Sequence, residues 1–254
     1  MFTPSHHGGA GSPLVLLHGF MDTWRTWELV LPALERRHEV LAPTLPGHAG
    51  GPPLADDPVD GVERLLDDAG LDTAHLAGNS LGGWLALQLA ARGRARTVVA
   101  LAPAGGWAGE PPLELFGFQR ALHAQMKAAA PHAPRLLATD AGRRRATELL
   151  TVRYEHIPAE LLAHQVLGGA VAGAPAMLAA AEIADWTLDA ERIACPVRIV
   201  WGTDDRLLPW PAAAERYRRD WLPHADWVVL DDVGHSPQLD VPLETAELIL
   251  GFTS

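Results

Sequence analysis

Six short, largely apolar runs recur along the 254-residue chain, and stretches with the spacing of amphipathic helices separate most of them. Runs of this kind are typical of strands that are buried on both faces, as in a parallel sheet. Strands that alternate with helices predict βαβ units, and therefore a doubly wound, mostly parallel sheet of the α/β class. The predicted strands cover residues 14–17, 39–42, 74–77, 97–102, 197–201 and 227–230.

The alternation of strands and helices stops between about Trp107 and Trp186, where the sequence is rich in Ala, Leu and Arg and contains no convincing strand. We therefore predict a core formed by residues 1–107 and 187–254, with a helical insertion at 108–186. Predicted core helices cover 24–36, 59–69, 81–91, 211–221 and 243–252. Predicted helices of the insertion cover 113–130, 142–154, 159–167 and 175–183.

The composition indicates a globular protein with no affinity for polyanions. Apolar residues make up 48% of the chain and charged residues 20%, which fits one domain with an insertion. The net charge of −11 leaves no basic surplus, so neither nucleic acid nor an anionic membrane is an expected partner. The single cysteine, the lack of a signal-peptide pattern and the lack of an uninterrupted apolar run of about 18 residues predict a cytoplasmic protein without membrane insertion.

Residues 78–82 read Gly-Asn-Ser-Leu-Gly, at the point where a predicted strand passes into a predicted helix. A tight turn there would lift the Ser80 hydroxyl out of the sheet, and side chains in place of Gly78 and Gly82 would collide with the neighbouring strand and helix. The same turn places the Leu81 N–H at a helix N-terminus, which favours negative charge. The motif favours a nucleophilic serine over an ordinary turn serine.

A serine nucleophile needs a base, because its hydroxyl is a weak nucleophile near neutral pH. His235 follows the predicted strand 227–230 at the carboxyl edge of the sheet, where chemistry in open α/β sheets is concentrated. His18 and His48 are weaker candidates for the base. His235 is therefore the favoured base.

An acidic residue must orient such a histidine and stabilise its protonated form. Asp204 and Asp205 follow the predicted strand 197–201 at the same edge of the sheet, and their chemistry alone does not distinguish them. With either aspartate, the chain order of the catalytic residues is Ser, Asp, His, which is one of the known arrangements of this triad.

With these residues in place, the sequence resembles the α/β-hydrolase family, in its capped, serine-nucleophile form, across nearly its whole length. The segments that carry the resemblance are His18-Gly19-Phe20, Pro46-Gly47-His48, residues 78–83, residues 201–209 and Gly234-His235. The resemblance implies an α/β-hydrolase fold in which the helical insertion is a cap over the pocket. Relatives that break epoxide or carbon–halogen bonds use an aspartate nucleophile, so Ser80 argues against that chemistry.

The resemblance also implies roles for individual residues. The family's spacing between the glycine of Trp-Gly and the following proline selects Asp205 over Asp204 as the acid of the triad. The oxyanion hole of the family maps to the N–H groups of Phe20 and Leu81. Only about thirteen residues precede the first predicted strand, so the antiparallel edge strands common in the family are expected to be short or absent.

Large apolar side chains near the strand ends and in the insertion are candidates for the wall of a substrate pocket. The alternative is that they only pack the insertion against the core. These candidates are Trp24, Trp107, Phe116 and Met126. We interpret the arginines of the insertion as a solvated helix face, although one of them could meet a substrate carboxylate.

A triad of this kind predicts an enzyme that cleaves carboxylic esters or lactones with small to medium apolar acyl groups through an acyl-enzyme. Alternatives with the same triad are a carbon–carbon bond hydrolase of dienoic or diketone substrates and a perhydrolase or acyl transferase. A ligand receptor on the same fold is the non-enzymatic alternative. The expected partner is a small ester-like molecule; no organic cofactor and no metal are expected, because the histidines lack the spacing of metal ligands.

Overall fold

A single sheet forms the centre of the protein in a computed structural model, which describes residues 2–109 and 112–253. Its strands are β1 (Ser5–Gly9), β2 (Ser12–Leu17), β3 (His38–Pro43), β4 (Ala74–Asn79), β5 (Ala95–Leu101), β6 (Val197–Gly202) and β7 (Asp226–Leu230). Their order is β1-β3-β2-β4-β5-β6-β7; β1 is antiparallel to β3, and the other neighbours are parallel. The prediction of a mostly parallel sheet is confirmed.

Helices cover both faces of the sheet and fill the long connection between β5 and β6. The α-helices are α1 (Leu31–Leu34), α2 (Pro58–Asp68), α3 (Leu81–Ala91), α4 (Leu113–Ala129), α5 (Ala133–Leu137), α6 (Asp140–Thr147), α7 (Ala159–Val171), α8 (Ala174–Ile183), α9 (Pro237–Asp240) and α10 (Pro242–Leu250). Short 3-10 turns cover Trp24–Trp27, Ala130–His132, Ala190–Arg192 and Ala212–Ala214, and a π turn covers Tyr217–Trp221. Helices α4 to α8 form the helical insertion that the sequence predicts between two core strands.

The pleat of the strands divides the core into two layers, one on each face of the sheet. In β2, Leu14 and Leu16 pack with α1 and α10, whereas Val15 and Leu17 point to the other face and pack with α2 and α3. All four side chains are fully buried. Helices on both faces explain why the central strands read as continuous apolar runs and not as an alternating pattern. The sheet is therefore doubly wound, as expected.

The insertion has a small apolar core of its own. Side chains of α5 and α7 pack there against Leu239, which belongs to α9 of the central domain. Within residues 2–109 and 112–253, no single helix is both long and apolar enough to cross a membrane, and α7 and α8 meet that criterion only together, across a bend of 69°.

Three predicted helices differ from the observed ones. The stretch 24–36 is divided into a 3-10 turn and α1, because Pro32 in the first turn of α1 has no N–H with which to continue an upstream helix. The stretch 211–221 is also divided, and the Arg216 N–H donates to the Gly106 carbonyl at 2.8 Å instead of within a helix. Helix α6 ends at Thr147, not at residue 154, because the next residues bind the core.

One antiparallel edge strand is present. We expected such strands to be short or absent, and β1 is five residues long. Its sequence, Ser-His-His-Gly-Gly, has no apolar pattern from which a strand could be predicted. Gly9, at a φ of 74°, begins the turn into β2, and a Cβ there would lie 2.2 Å from the His38 carbonyl oxygen.

Leu16 offers a direct test of the layered core. We expect Leu16→Ala to lower the free energy of unfolding by about 2–5 kcal/mol, because it removes a fully buried side chain from the centre of the sheet. Leu243→Ala, at a residue 76% exposed on α10, is the matched control and is expected to change stability by less than about 0.5 kcal/mol. Urea denaturation of both variants measures the difference, and equal effects would contradict this packing.

Candidate active site

Ser80 lies in a strained turn between β4 and α3. Its backbone has a φ of 55° and a ψ of −116°, a region that residues other than glycine rarely adopt. The turn is held by hydrogen bonds at both ends of the residue. The Ser80 N–H donates to the Leu101 carbonyl at 2.9 Å, and the Ser80 carbonyl accepts from the N–H groups of Trp84 and Ala104, both at 3.1 Å.

The flanking glycines permit the close approach that this turn requires. A Cβ on Gly78 would lie 2.2 Å from the Gly82 carbonyl oxygen, and one on Gly82 would lie 2.0 Å from the Leu17 carbonyl oxygen. Both distances are far shorter than van der Waals contact. The Gly-x-Ser-x-Gly pattern is therefore explained by steric exclusion between α3 and strands β2 and β4.

His235 and Asp205 form a buried pair at the carboxyl edge of the sheet. His235 Nδ1 lies 2.7 Å from Asp205 Oδ2, and the two residues are 2% and 4% exposed. This contact fixes the tautomer, because Nδ1 must carry the proton to donate to a carboxylate. Nε2, the other ring nitrogen, is buried without a hydrogen-bond partner among the described residues and is therefore available as a base.

The second oxygen of Asp205 is held by the backbone. Oδ1 accepts from the N–H groups of Leu207 at 2.9 Å and Leu208 at 2.7 Å. Asp204, in contrast, is exposed and accepts from the Thr203 hydroxyl at 3.3 Å. Of the two neighbouring aspartates, Asp205 is the one that contacts the histidine.

Asn79 connects the turn that carries Ser80 to the loop that carries His235, which we call the histidine loop. Its side-chain amide donates to the carbonyl oxygens of His235, at 2.9 Å, and Leu101, at 3.1 Å, and its Oδ1 accepts from Gln238 Nε2 at 3.1 Å. Because Asn79 immediately precedes Ser80, these bonds fix the backbone of His235 relative to the serine. No local sequence pattern assigns Asn79 this role, since the bond spans 156 residues.

A second connection joins the histidine loop to the insertion. The buried carboxylate of Asp240 accepts from the N–H groups of Gly234 at 2.6 Å, Val152 at 2.9 Å and Arg153 at 2.7 Å. The Ser236 N–H donates to the Leu150 carbonyl at 2.8 Å. These bonds explain why α6 stops at Thr147. They also place residues 150–153 of the insertion directly against the loop that carries His235.

Burial counts against the other two candidate bases, His18 and His48. His18 Nδ1 donates to the Gly19 carbonyl at 2.7 Å and its Nε2 accepts from the Leu45 N–H at 2.9 Å, so both ring nitrogens are used. Burial holds the pKa of His18 well below its usual value and lowers the pKa of His48 to about 4. Neither imidazole is suited to take a proton from a serine hydroxyl near neutral pH.

Phe20 and Leu81, the expected residues of an oxyanion hole, both lie at the candidate site. Both residues line the same cavity as Ser80, and neither N–H donates a hydrogen bond within the described part of the chain. The Leu81 N–H is also the first of α3, where the helix dipole favours a developing negative charge. The pair can therefore stabilise an oxyanion.

The loop that carries Phe20 packs against the insertion. Asp22, at the end of this loop, accepts from Gln165 Nε2 of α7 at 3.2 Å, and burial raises the pKa of Asp22 to about 6. Met21 has a φ of 60°, so this loop, like the serine turn, is strained. The insertion thus contacts both the loop that carries Phe20 and the loop that carries His235.

A cavity of about 590 Å³ opens above Ser80 between the core and the insertion. Trp107 and Phe116 line it, as expected, together with Phe20 and Leu81. Two expected wall residues, Trp24 and Met126, do not line it. The Trp24 ring instead stacks on His6 and donates to the Thr3 hydroxyl at 2.9 Å, because β1 lies beside it.

Met126 is directed away from the cavity because α7 is close behind it. A Cβ on Gly169 of α7 would lie 2.5 Å from the Met126 sulfur, so the thioether fills the space that this glycine leaves. Met177 of α8 lines the cavity wall in its place. Within the described ranges, no group of three or more His, Cys, Asp or Glu side chains is arranged to hold a metal ion.

The bridge made by Asn79 can be tested by mutation. We expect Asn79→Ala to lower the free energy of unfolding by about 1–3 kcal/mol, because the buried His235 carbonyl loses its donor. Amide hydrogen exchange, followed by mass spectrometry, is expected to accelerate in residues 233–240. Thr26→Val is the control, because Thr26 contacts Gln238 but not His235. Unchanged exchange in 233–240 of Asn79→Ala would contradict the bridge.

Comparison with known proteins gives matches that cover most of this chain. Residues 14–248 match the model of the alpha/beta hydrolase family. The epoxide hydrolase EphH of Mycobacterium tuberculosis is 34% identical over 200 residues, covering 76% of this chain and 92% of that protein. A pimeloyl-[acyl-carrier protein] methyl ester esterase of Aeromonas hydrophila is 31% identical over 259 residues, covering 96% of each chain.

A solved structure supports the same fold. The enol-lactonase from Burkholderia xenovorans LB400 superposes with a TM-score of 0.73 and 19% identity, over 98% of this chain and 95% of the other. The family match spans most of the sequence, and the relatives named are hydrolases. The chain is therefore a member of the α/β hydrolase family, as its sequence motifs predict.

Proposed function

We propose that this hydrolase cleaves carboxylic esters or lactones through an acyl-enzyme on Ser80, with His235 as the base and Asp205 as its orienting acid. The observation that carries the proposal is the buried His235–Asp205 pair. His235 Nε2 has no hydrogen-bond partner among the described residues, and the loop that carries His235 is bonded to the residue before the serine. An imidazole whose Nε2 carries no proton is the form needed to take a proton from a hydroxyl.

In the first half-reaction, the Ser80 oxygen attacks the acyl carbon while its proton passes to His235 Nε2. Asp205 stabilises the resulting imidazolium, and its oxygens stay fixed because the backbone holds Oδ1. The negative charge on the former carbonyl oxygen is received by the N–H groups of Phe20 and Leu81. Each such donor is commonly worth about 3 kcal/mol in the transition state. His235 then protonates the leaving alcohol as the carbon–oxygen bond breaks.

In the second half-reaction, water takes the place of the alcohol. His235 accepts a proton from the water, whose oxygen attacks the acyl-enzyme, and then returns that proton to the Ser80 oxygen as the acid leaves. The backbone strain at Ser80 supports this reading, since strained turns of this kind keep a nucleophile exposed and correctly aimed.

The similarity to an epoxide hydrolase does not carry its chemistry to this chain. A carboxylate that opens an epoxide forms an ester, which water can then cleave. A serine that did so would form an ether, which has no carbonyl carbon for water to attack. The residue at the turn is Ser80, so acyl chemistry is favoured over epoxide opening.

The cavity wall also favours esters over the dienoic acids of the carbon–carbon hydrolase alternative. Such substrates carry a carboxylate, which needs a cation. Among the described residues that line the cavity, Arg92 is the one arginine or lysine, and it already pairs with Asp57, Asp60 and Glu63 at 3.5, 2.6 and 2.8 Å. An anionic substrate would find no unpaired partner there.

The proposal is tested by hydrolysis of p-nitrophenyl butyrate. We expect turnover by the native protein and a loss of about 10³-fold or more in kcat for Ser80→Ala, because the acyl-enzyme can no longer form. We expect Asp205→Asn to lower kcat by about 10²-fold or more, since it removes the charge that stabilises the imidazolium.

Asp204→Asn is the matched control, because it makes the same chemical change one residue away on an exposed side chain. Its rate is expected to stay close to that of the native protein. Retained kcat in Ser80→Ala, or a larger loss in Asp204→Asn than in Asp205→Asn, would overturn the assignment.

A further inference from the structure

We propose that the cavity is a groove for one long, unbranched and uncharged acyl chain, which lies along α3 from Ser80 to Arg92 and extends to about 12 carbons. The inference rests on the proposed function, because the groove begins at the serine that would carry the acyl group. It specifies the substrate as esters of medium- and long-chain fatty acids, instead of the small to medium apolar acyl groups expected from the sequence.

One stripe of α3 forms the floor of the groove. Five residues on the same side of the helix line the cavity: Leu81, Trp84, Leu85, Gln88 and Arg92. Arg92 lies eleven residues after Leu81, which corresponds to roughly 16 Å at a rise of about 1.5 Å per residue. An extended hydrocarbon chain advances roughly 1.25 Å per carbon, given a carbon–carbon bond of about 1.5 Å. The floor therefore accommodates about 12 carbons.

The walls beside this floor are apolar. Val59 and Val62 of α2 stand on one side, and Met177, Leu178 and Ala181 of α8 stand on the other. Trp84, Val59 and Met177 line the groove and are 6%, 8% and 9% exposed, so these walls keep a small accessible surface and are largely shielded from bulk water. Contacts on several sides are what an alkyl chain needs in order to leave water favourably.

Four charged side chains are among the described residues that line the groove: Asp56, Asp57, Arg92 and Asp185. All four are exposed to solvent, and Asp57 pairs with Arg92 at the far end. The rim is thus acidic and its arginine is already paired. A chain that ends in a carboxylate would place that charge among apolar residues or against like charge.

The acyl part of the ester is the better occupant of the groove. The acyl group stays bonded to Ser80 through both half-reactions, whereas the alcohol must leave between them. A groove shielded from water is therefore suited to the acyl group, which remains bonded to the serine. Beyond Arg92 the chain would emerge into water, so further carbons would add no contact.

The experiment measures kcat/KM for p-nitrophenyl esters with acyl chains of 2 to 16 carbons. We expect a rise of about two- to fourfold per methylene up to about ten or twelve carbons, followed by a plateau. p-Nitrophenyl hydrogen adipate is expected to react at least tenfold more slowly than the hexanoate. A flat profile, or equal rates for these two esters, would overturn the groove.

Two tryptophan substitutions on α8 locate the chain. Ala181→Trp fills the wall and is expected to move the optimum to chains shorter than six carbons, because kcat/KM falls more for long chains than for short ones. Ala179→Trp is the control, because Ala179 is exposed and does not line the cavity, and its profile is expected to match the native one. Identical profiles for the two variants would contradict the placement along α8.

Failure of the groove and failure of the proposed function give different results. Ser80-dependent turnover of the acetate with a flat chain-length profile would overturn the groove alone. If no ester is hydrolysed, binding still tests the groove: the uncharged 1-decanol added to Ser80→Ala is expected to change the fluorescence of Trp84, Trp107 and Trp186, which line the cavity. A saturable change supports the groove, and no change would overturn it.

Discussion

The hydrogen bond from the Asn79 side chain to the His235 carbonyl is the interaction on which the arrangement of this site depends. A hydroxyl at the end of β4 and an imidazole beyond the end of β7 belong to strands separated by β5 and β6 in the sheet. Parallel strands bring their carboxyl ends to one edge, but that leaves each loop free to adopt many positions. A single buried amide, adjacent in sequence to the serine, removes this freedom by binding the backbone of the histidine itself.

The insertion further restrains the loop that carries His235. Its segment after α6 supplies the N–H groups of Val152 and Arg153 to Asp240, the same carboxylate that holds Gly234. Arg206, the residue after Asp205, donates to the Glu148 carbonyl at 3.1 Å. The insertion is therefore a structural support of the aspartate and histidine loops as well as a cover for the cavity. A cap that moved as one rigid body would have to break these bonds.

Much of this protein could be predicted from local sequence patterns. The buried strands are continuous apolar runs, and α3 begins and ends at the predicted residues because the serine turn and Arg92 delimit it. Ser80, Asp205 and His235 could be proposed as a triad because each follows a recognisable strand and matches a family motif. Steric exclusion at Gly78 and Gly82 is also a local effect, so the pattern of glycines could be interpreted without coordinates.

The features that could not be predicted depend on contacts between distant parts of the chain. β1 has no apolar pattern, since an edge strand is held by its backbone pairing with β3. The wall residues Trp24 and Met126 were mispredicted because their surroundings, β1 and the close approach at Gly169, are set by tertiary packing. Asp240 and Asn79 look like ordinary polar residues in the sequence, and only the fold shows which backbone groups they bind.

We propose that the fold brings Ser80, His235 and two backbone N–H groups around one reacting carbonyl. A crystal structure of the protein after reaction with a p-nitrophenyl alkylphosphonate would show this arrangement. We expect phosphorus bonded to the Ser80 oxygen, the phosphonyl oxygen within hydrogen-bond distance of the Phe20 and Leu81 N–H groups, and His235 Nε2 facing the serine oxygen. An adduct on another residue, or a phosphonyl oxygen turned away from both N–H groups, would contradict it.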